Sequence, residues 1–411
     1  MAHILIANVG STSLKYKLVD IPSLAHPEQQ RSLAEGSIER IGMPGSAVVE
    51  HLRYDAQGEL QMTTLSVHEP DYQTAIDLML SSLIEVPLGV LDNLAELDAV
   101  GFKAVHGGVY RQPVIVNEAV LAEMARLSPA APAHNPPYIK AMRLFHKLIP
   151  KVPLVAVWET TFHATMPDYA RVYAVPLAWR EEWGIEHYGF HGASHRYISQ
   201  RIAQIAPGPA PFRVISCHLG GSSSLCAILD GRSLDTSMGF SPQSGLPQTK
   251  RTGDLDPFVP LWLLREGKAT VDELNRILNT QSGLAGISGG SGDMRDLLAA
   301  EEAGDERAHL AIESYCYTLV KTIGAYYVVL GGLDRLVFTG GMGEKGVAIR
   351  ARVVKALTGL GLELDEERNA ATRQEARIST PGSRAEIWVV PTDEGQVVAE
   401  ETAKVLLAHS R

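Results

Sequence analysis

The chain has 411 residues, more than one hydrophobic core usually serves, so two domains are expected. Its 45% hydrophobic and 20% charged residues are globular proportions and exclude a disordered polar chain. A formal net charge of −10 argues against broad binding to nucleic acid or anionic membrane, while leaving room for a local basic pocket that takes a small anion.

In chain order, the first element is a hairpin. Ile4–Asp20 is an apolar run, a Gly/Ser turn preceded by Asn8, and a second half-apolar run. Leu97–His106 reads as a buried strand ending in a glycine turn. Asn117–Arg126 and Pro137–Leu148 carry apolar residues at helical spacing, and Val152–Trp158 is a further apolar strand. His195–Ile205 is helical by the same criterion. Ala206–Phe212 (APGPAPF) then punctuates the chain before a second hairpin, Arg213–Gly231, built like the first with His218 in the place of Asn8. Helices follow at Pro257–Glu266, Val271–Thr280 and Ala308–Val329, then a strand at Leu336–Thr339 and a closing amphipathic helix at Gly395–His409. Alternating strands and helices predict α/β layers. The longest apolar stretch, Thr322–Leu333, is too short to span a bilayer, and the N-terminus enters a strand without a charged-then-apolar leader. A cytoplasmic protein is expected.

The two hairpins are the most informative pair. Glycines let backbone approach a ligand, and hydroxyls with bare N–H groups cradle phosphate oxygens. One such turn is commonplace; one at the head of each half predicts an internally duplicated chain that grips phosphate with both halves. Cys217, Cys226 and Cys316 show no metal or redox spacing and read as small buried residues in a reducing compartment.

Other motifs carry a chemical and a plain reading. Gly341–Gly346 (GMGEKG) satisfies GxGxxG, but it sits near the C-terminus rather than opening a domain. A glycine-rich strand-to-helix turn beside a nucleoside is preferred over a dinucleotide fingerprint, and no GxxxxGK[ST] occurs. His191 and His195 have the spacing of a zinc helix without its Glu; a phosphoryl contact or a packed histidine fits better. His106, His134 and His163 also sit at polar turns. Arg251 and Asp254 combine a guanidinium with a carboxylate, either as a surface ion pair or as an anion clamp. Glu394, between a strand and the closing helix, is either a helix N-terminal charge or a Mg²⁺ ligand.

Together these motifs resemble the acetate kinase family of the acetate and sugar kinase/actin superfamily, over essentially the whole length. NVGSTSLK (8–15) resembles the family's N-[AC]-G-S-S-S-L-K. EGSIERIG (35–42), HNPPYIK (134–140), ETTFHATMP (159–167), YGFHGASH (188–195), LDTSMGFSPQSGL (234–246), RTGDLDP (251–257), SGDMRDL (291–297), VFTGGMGEK (337–345) and PTDE (391–394) follow in the family's order. The resemblance implies an α/β fold with a duplicated βββαβαβα core of the ribonuclease H-like/actin-like ATPase type. It implies domains at 1–163 plus 395–411 and at 164–394, a cleft between them, and a homodimer. It also implies Mg²⁺-dependent transfer of the ATP γ-phosphoryl group to a carboxylate, giving an acyl phosphate.

Carried over by position, Asn8, Ser11, Ser13 and Lys15 lie along the first phosphate loop, and His218, Gly220 and Gly221 along the second. His134, His191 and Arg251 contact the transferring group, with Lys103 and Glu159 also catalytic. Asp293, Arg295, Gly341 and Gly343 line the nucleoside pocket. Val105, Ala133, Phe190 and Pro242 bound the acyl pocket, and Glu394 with Asn8 positions Mg²⁺. A carboxylate is already a nucleophile, so such a site needs charge neutralisation and positioning rather than a base.

The departures from the family pattern fall in the site. Lys103 stands for Arg, Glu159 for Asp, Gly221 for Asn, Ala133 for Leu and Lys345 for Asn. Lys loses the planar fork of Arg, and Glu moves a carboxylate by one methylene. Retained Asn8, His191, Arg251 and Glu394 favour retuning for another carboxylate over decay. The alternatives are pyrophosphate as donor, a weakened binding or regulatory paralogue and, more distantly, a dinucleotide oxidoreductase.

Overall fold

The computed structural model describes residues 2–54, 60–85 and 89–409. The chain divides into two compact units, Met1–Thr161 with Asp393–Arg411, and Phe162–Thr392. Glu394, which the sequence reading assigned to the second domain, thus belongs with the first, because the helix that it opens packs there.

The first unit is built on an eight-stranded sheet: β1 (Ala2–Val9), β2 (Ser13–Ile21), β3 (Arg31–Glu39), β4 (Ser46–Tyr54), β5 (Leu60–His68), β6 (Leu97–Ala104), β7 (Val114–Ile115) and β8 (Leu154–Trp158). Their spatial order is β5-β4-β3-β2-β1-β6-β8-β7. β1 and β2 form the predicted antiparallel hairpin, with Asn8 opposite Lys15, while β6 and β8 run parallel to β1. The closing helix, Glu394–His409, buries Val397, Val398, Ala399, Thr402 and Ala403 against this sheet. Gly101 in β6 permits the contact, since a Cβ there would meet Thr402 Oγ1 at 2.3 Å.

The second unit carries β9 (Arg213–Leu219), β10 (Ser223–Leu229), β11 (Arg232–Thr236), β12 (Arg335–Thr339), β13 (Ala376–Arg377) and β14 (Glu386–Val389), in the order β11-β10-β9-β12-β14-β13. This repeats the first unit strand for strand: β3-β2-β1-β6-β8-β7 has the same order and the same parallel and antiparallel pairings. β4 and β5 extend the first sheet beyond the repeat. The long helix Glu306–Val329 buries Tyr315, Leu319 and Ile323 in the core of the second unit, with Asp305 as its N-cap.

The predicted helices form with small shifts at their ends. Val271–Thr280 is capped by a Thr270–Glu273 box, and Asn117 caps Glu118–Arg126 by accepting from Val120 N–H at 3.0 Å. The helix expected from Pro137 starts at Asn135, since prolines suit the first turn, where no N–H is needed. The helix expected from His195 starts at Gly192, which puts His191 at its N-cap. β3, β4, β5 and the helix Tyr72–Ile84 are not among the elements expected from the sequence. β5 is the physical reason in miniature: an edge strand exposed along nearly its whole length, it has no alternating apolar face to read. Among the described residues no helix is long and apolar enough to cross a membrane.

Candidate active site

In the first unit the polar residues gather where β1, β6 and β8 end. These strands are neighbours, and two of them point their carboxyl ends the same way as the third, where open α/β sheets gather ligands. Asn8 is the penultimate residue of β1. Its Oδ1 accepts from the Tyr138 hydroxyl at 3.1 Å, and that hydroxyl accepts from Val9 N–H at 3.1 Å. Tyr138 is buried in the helix Asn135–Leu148, which His134 caps, so one side chain ties the hairpin to that helix. Tyr138 is not among the candidates expected from the sequence although it lies within HNPPYIK, because a tyrosine at helical spacing looks like core.

Lys103 Nζ lies 2.6 Å from Glu394 Oε2 and 3.6 Å from Glu159 Oε1. Burial works against the ammonium, but Glu394 and Glu159 outweigh it and hold its pKa above that of ordinary lysine. Glu159 is 4% exposed and directly follows β8, its N–H bonded to Ala104 O at 2.8 Å. Two positions where this chain departs from the family pattern are therefore partners.

The hairpin turn itself is open. Ser11 is exposed and Ser13 half-buried, while Lys15 reaches Glu39 at 3.7 Å. Val105 is buried just beyond β6 and Ala133 is exposed before His134. Buried Asn135 joins these segments: Nδ2 donates to His106 O at 3.1 Å and to Met124 O at 2.9 Å, and Oδ1 accepts from His106 N–H at 3.3 Å.

The second unit holds an imidazole cluster. His191 adopts a left-handed backbone conformation (φ 56°), uncommon for a residue with a Cβ and of the kind that collects at functional sites. Its ring stacks on His218 at 4.2 Å, and His218 Nδ1 bonds Ser194 Oγ at 2.8 Å. His195, fully buried beside them, bonds Ser216 and Ser224. Phe190 is buried next in sequence, its carbonyl held by His163 Nε2 at 2.9 Å.

Arg251 donates to Gln248 Oε1 at 3.2 Å and to Ser222 Oγ, in the β9–β10 turn, at 3.4 Å. Burial lowers its pKa. Gln248 also donates from Nε2 to Pro242 O at 2.7 Å, so one buried amide joins the guanidinium to the PQSG turn. Thr249 N–H bonds Gly221 O at 3.2 Å, seating the Gly220–Gly221 turn on the same segment. Asp254 does something else: its carboxylate accepts from Gly245 N–H at 2.7 Å and shapes the loop.

The remaining nucleoside candidates lie elsewhere in this unit. Asp293 caps the helix Met294–Glu302 and pairs with Arg295 at 2.6 Å; hydrogen bonds from Arg295 bring its pKa down to about 2. β12 runs directly into a short helix, Gly340–Lys345. Gly340 needs its positive φ of 76°, Gly343 packs against β12, and Gly341 faces open space. Buried Arg350 fixes this turn by donating to Gly343 O and Glu344 O, both at 2.8 Å, and to Asn369 Oδ1 at 2.7 Å.

Known proteins resemble this chain over nearly its whole length. The family model for the Acetokinase family matches residues 3–400. The chain belongs to the acetokinase family. Its members are phosphotransferases that act on a carboxyl group, and its fold is the two-domain actin-like ATPase fold. An acetate kinase of Clostridium botulinum is 41% identical over 406 residues, covering 98% of this acetokinase and 99% of the relative. Among solved structures, an acetate kinase from Porphyromonas gingivalis has a TM-score of 0.85 at 36% identity, covering 99% and 100% of the two chains. A propionate kinase from Francisella tularensis has 0.86 at 34%, covering 98% and 99%. The duplicated topology of this acetokinase is thus that of a family of ATP-dependent carboxylate kinases.

Proposed function

We propose that this acetokinase catalyses reversible, Mg²⁺-dependent transfer of the ATP γ-phosphoryl group to a short-chain carboxylate such as acetate or propionate. The observation that carries the reading is the half-buried Lys103 ammonium, set between half-buried Glu394 and buried Glu159. Drawing three charges largely out of water is expensive, and such a cluster is kept where chemistry needs fixed charge. Lys103 and Arg251 neutralise carboxylate and phosphoryl oxygens, and His134 and His191 donate hydrogen bonds to the group in transit. Asn8, Ser11, Ser13 and Lys15, and likewise His218, Gly220 and Gly221, are assigned to phosphate support. Asp293, Arg295, Gly341 and Gly343 receive the nucleoside, and Val105, Phe190, Pro242 and Ala133 bound the acyl group. Since the carboxylate attacks as it stands, no residue is assigned as a base.

The donor set suits Mg²⁺. Glu394, Glu159 and Asn8 offer oxygen, the donor type that Mg²⁺ takes. Among the described residues no group of three or more His, Cys, Asp or Glu forms a cage. That matches a cation held by one or two protein ligands and substrate phosphates. Glu394, with Asn8, would hold it, and it would supply neutralisation of the phosphate charge.

A homodimer in the cytoplasm is part of this reading. The helix Phe258–Arg265 exposes Phe258 at 73% and Trp262 at 57%, and has no buried residue within one chain. A second copy of the chain is the occupant proposed for it.

The test is a hydroxamate assay across a carboxylate series, with ATP or pyrophosphate and with or without Mg²⁺. Acyl hydroxamate should form with ATP and Mg²⁺ only. Turnover with pyrophosphate alone would overturn the donor, and no turnover with any carboxylate would favour a weakened paralogue.

A further inference from the structure

Ser224 Oγ lies 2.8 Å from His191 Nδ1 and 2.8 Å from His195 Nε2, and His195 Nδ1 lies 2.9 Å from Ser216 Oγ. Ser216, His195 and Ser224 are all fully buried. The result is a single file of hydrogen bonds, Ser216–His195–Ser224–His191, and each member's protons are countable.

Each serine has one hydroxyl proton and a neutral imidazole has one N–H. An arrangement in which His191 and His195 both donate to Ser224 leaves the Ser224 proton without an acceptor, so a file that uses that proton runs in one of two directions. In the first, Ser216 donates to His195 Nδ1, His195 Nε2–H donates to Ser224, and Ser224 donates to His191 Nδ1. In the second, His191 Nδ1–H donates to Ser224, Ser224 donates to His195 Nε2, and His195 Nδ1–H donates to Ser216. Only the first satisfies every hydroxyl. Among the described residues the Ser216 hydroxyl has no hydrogen-bond partner other than His195, so the second direction strands its proton in the interior, at the full desolvation cost. Burial, with His163 and His218 beside it, holds His195 well below the usual histidine range, so it enters the count neutral.

We propose that Ser224 and His195 are positioning residues that fix His191 as the neutral imidazole carrying its proton on Nε2. His191 thereby meets the phosphoryl group as a hydrogen-bond donor. The inference rests on the reading of His191 as a phosphoryl contact. It deepens that reading by naming the groups that set the tautomer. A donor suits this reaction: the nucleophile needs no deprotonation, while the phosphoryl oxygens need an N–H held in place before charge shifts. The left-handed backbone at His191 places the ring at the head of the helix that supplies His195, so both imidazoles reach the same hydroxyl.

The test reads the tautomer directly, by ¹⁵N NMR of histidine-labelled protein at neutral pH, with the His191 signals assigned by their loss in His191→Gln. Wild type and Ser224→Thr, which keeps the hydroxyl, should show His191 protonated on Nε2. Ser224→Ala should show a mixture of tautomers, with kcat lowered roughly tenfold and KM for both substrates within about twofold of wild type. A wild-type His191 protonated on Nδ1, or a tautomer unaltered in Ser224→Ala, overturns the relay. A tautomer that shifts as stated while kcat holds leaves the relay standing and removes His191 from the phosphoryl group instead.

Discussion

Lys103 and Glu159, both replacements of the residues in the family pattern, stand with Nζ 3.6 Å from Oε1. Lys is less extended than Arg at its charged end, and Glu is longer than Asp by one methylene, so the two changes compensate in reach. Glu159 is buried and Lys103 half-buried, so a misplaced charge there is costly.

The replacements are therefore expected to be coupled. Lys103→Arg alone should crowd the site and Glu159→Asp alone should open it, each lowering kcat/KM. The double variant should recover, with a coupling of about 1–3 kcal/mol in a double-mutant cycle. Strict additivity would show that the two positions drifted independently.

Arg251 is held by Gln248 and Ser222. Arg251→Ala should cost about 3–5 kcal/mol in kcat/KM, the range for removing a preorganised charged donor. Gln248→Ala should cost less, because it loosens the guanidinium without deleting it. Thermal melts of Arg251→Ala should stay close to wild type, and near-normal kcat/KM would take Arg251 out of the site.

Ala133 is exposed, at the position where the family pattern has Leu. If it bounds the acyl group, propionate or butyrate should gain over acetate by roughly 0.8 kcal/mol per buried CH₂. Ala133→Leu should return preference toward acetate. An unchanged acetate-to-butyrate ratio would show that Ala133 does not set chain length.

Burial brings His163 down from 6.5 to about 4, and His195 moves in the same direction. Between those values the unfolded chain binds protons that the folded chain does not, so stability rises with pH there. The contribution is fully present above pH 6.5 and is lost as pH falls toward 4, amounting to roughly 3 kcal/mol for His163. Denaturant melts should show this loss between neutral and acid pH. A His163→Gln variant that still folds should show a shallower slope, and an identical slope would exclude His163 as a source.

Trp262→Glu should shift sedimentation toward the monomer, since it puts a charge on the apolar helix Phe258–Arg265. A wild-type monomer at micromolar concentration would dispose of the proposed dimer face.

The hairpins Ile4–Asp20 and Arg213–Gly231, the helix Val271–Thr280 and the strand Leu336–Thr339 are legible because their signals are local. Apolar periodicity, capping residues and glycine turns act within a few residues, so the duplicated architecture followed from the order of such signals. The family motifs likewise pointed to Asn8, Lys103, His191, Arg251 and Glu394 one at a time. Pairing was another matter. That Lys103 answers Glu159 and Glu394, that Tyr138 holds Asn8, and that Ser224 stands between His191 and His195 depends on residues far apart in the chain. Such contacts leave no periodic trace, because a hydrogen bond specifies a point in space and not a spacing in sequence. Sheet order made them, by setting the ends of β1, β6 and β8 side by side in one unit and seating β9 and β10 against His191 and His195 in the other.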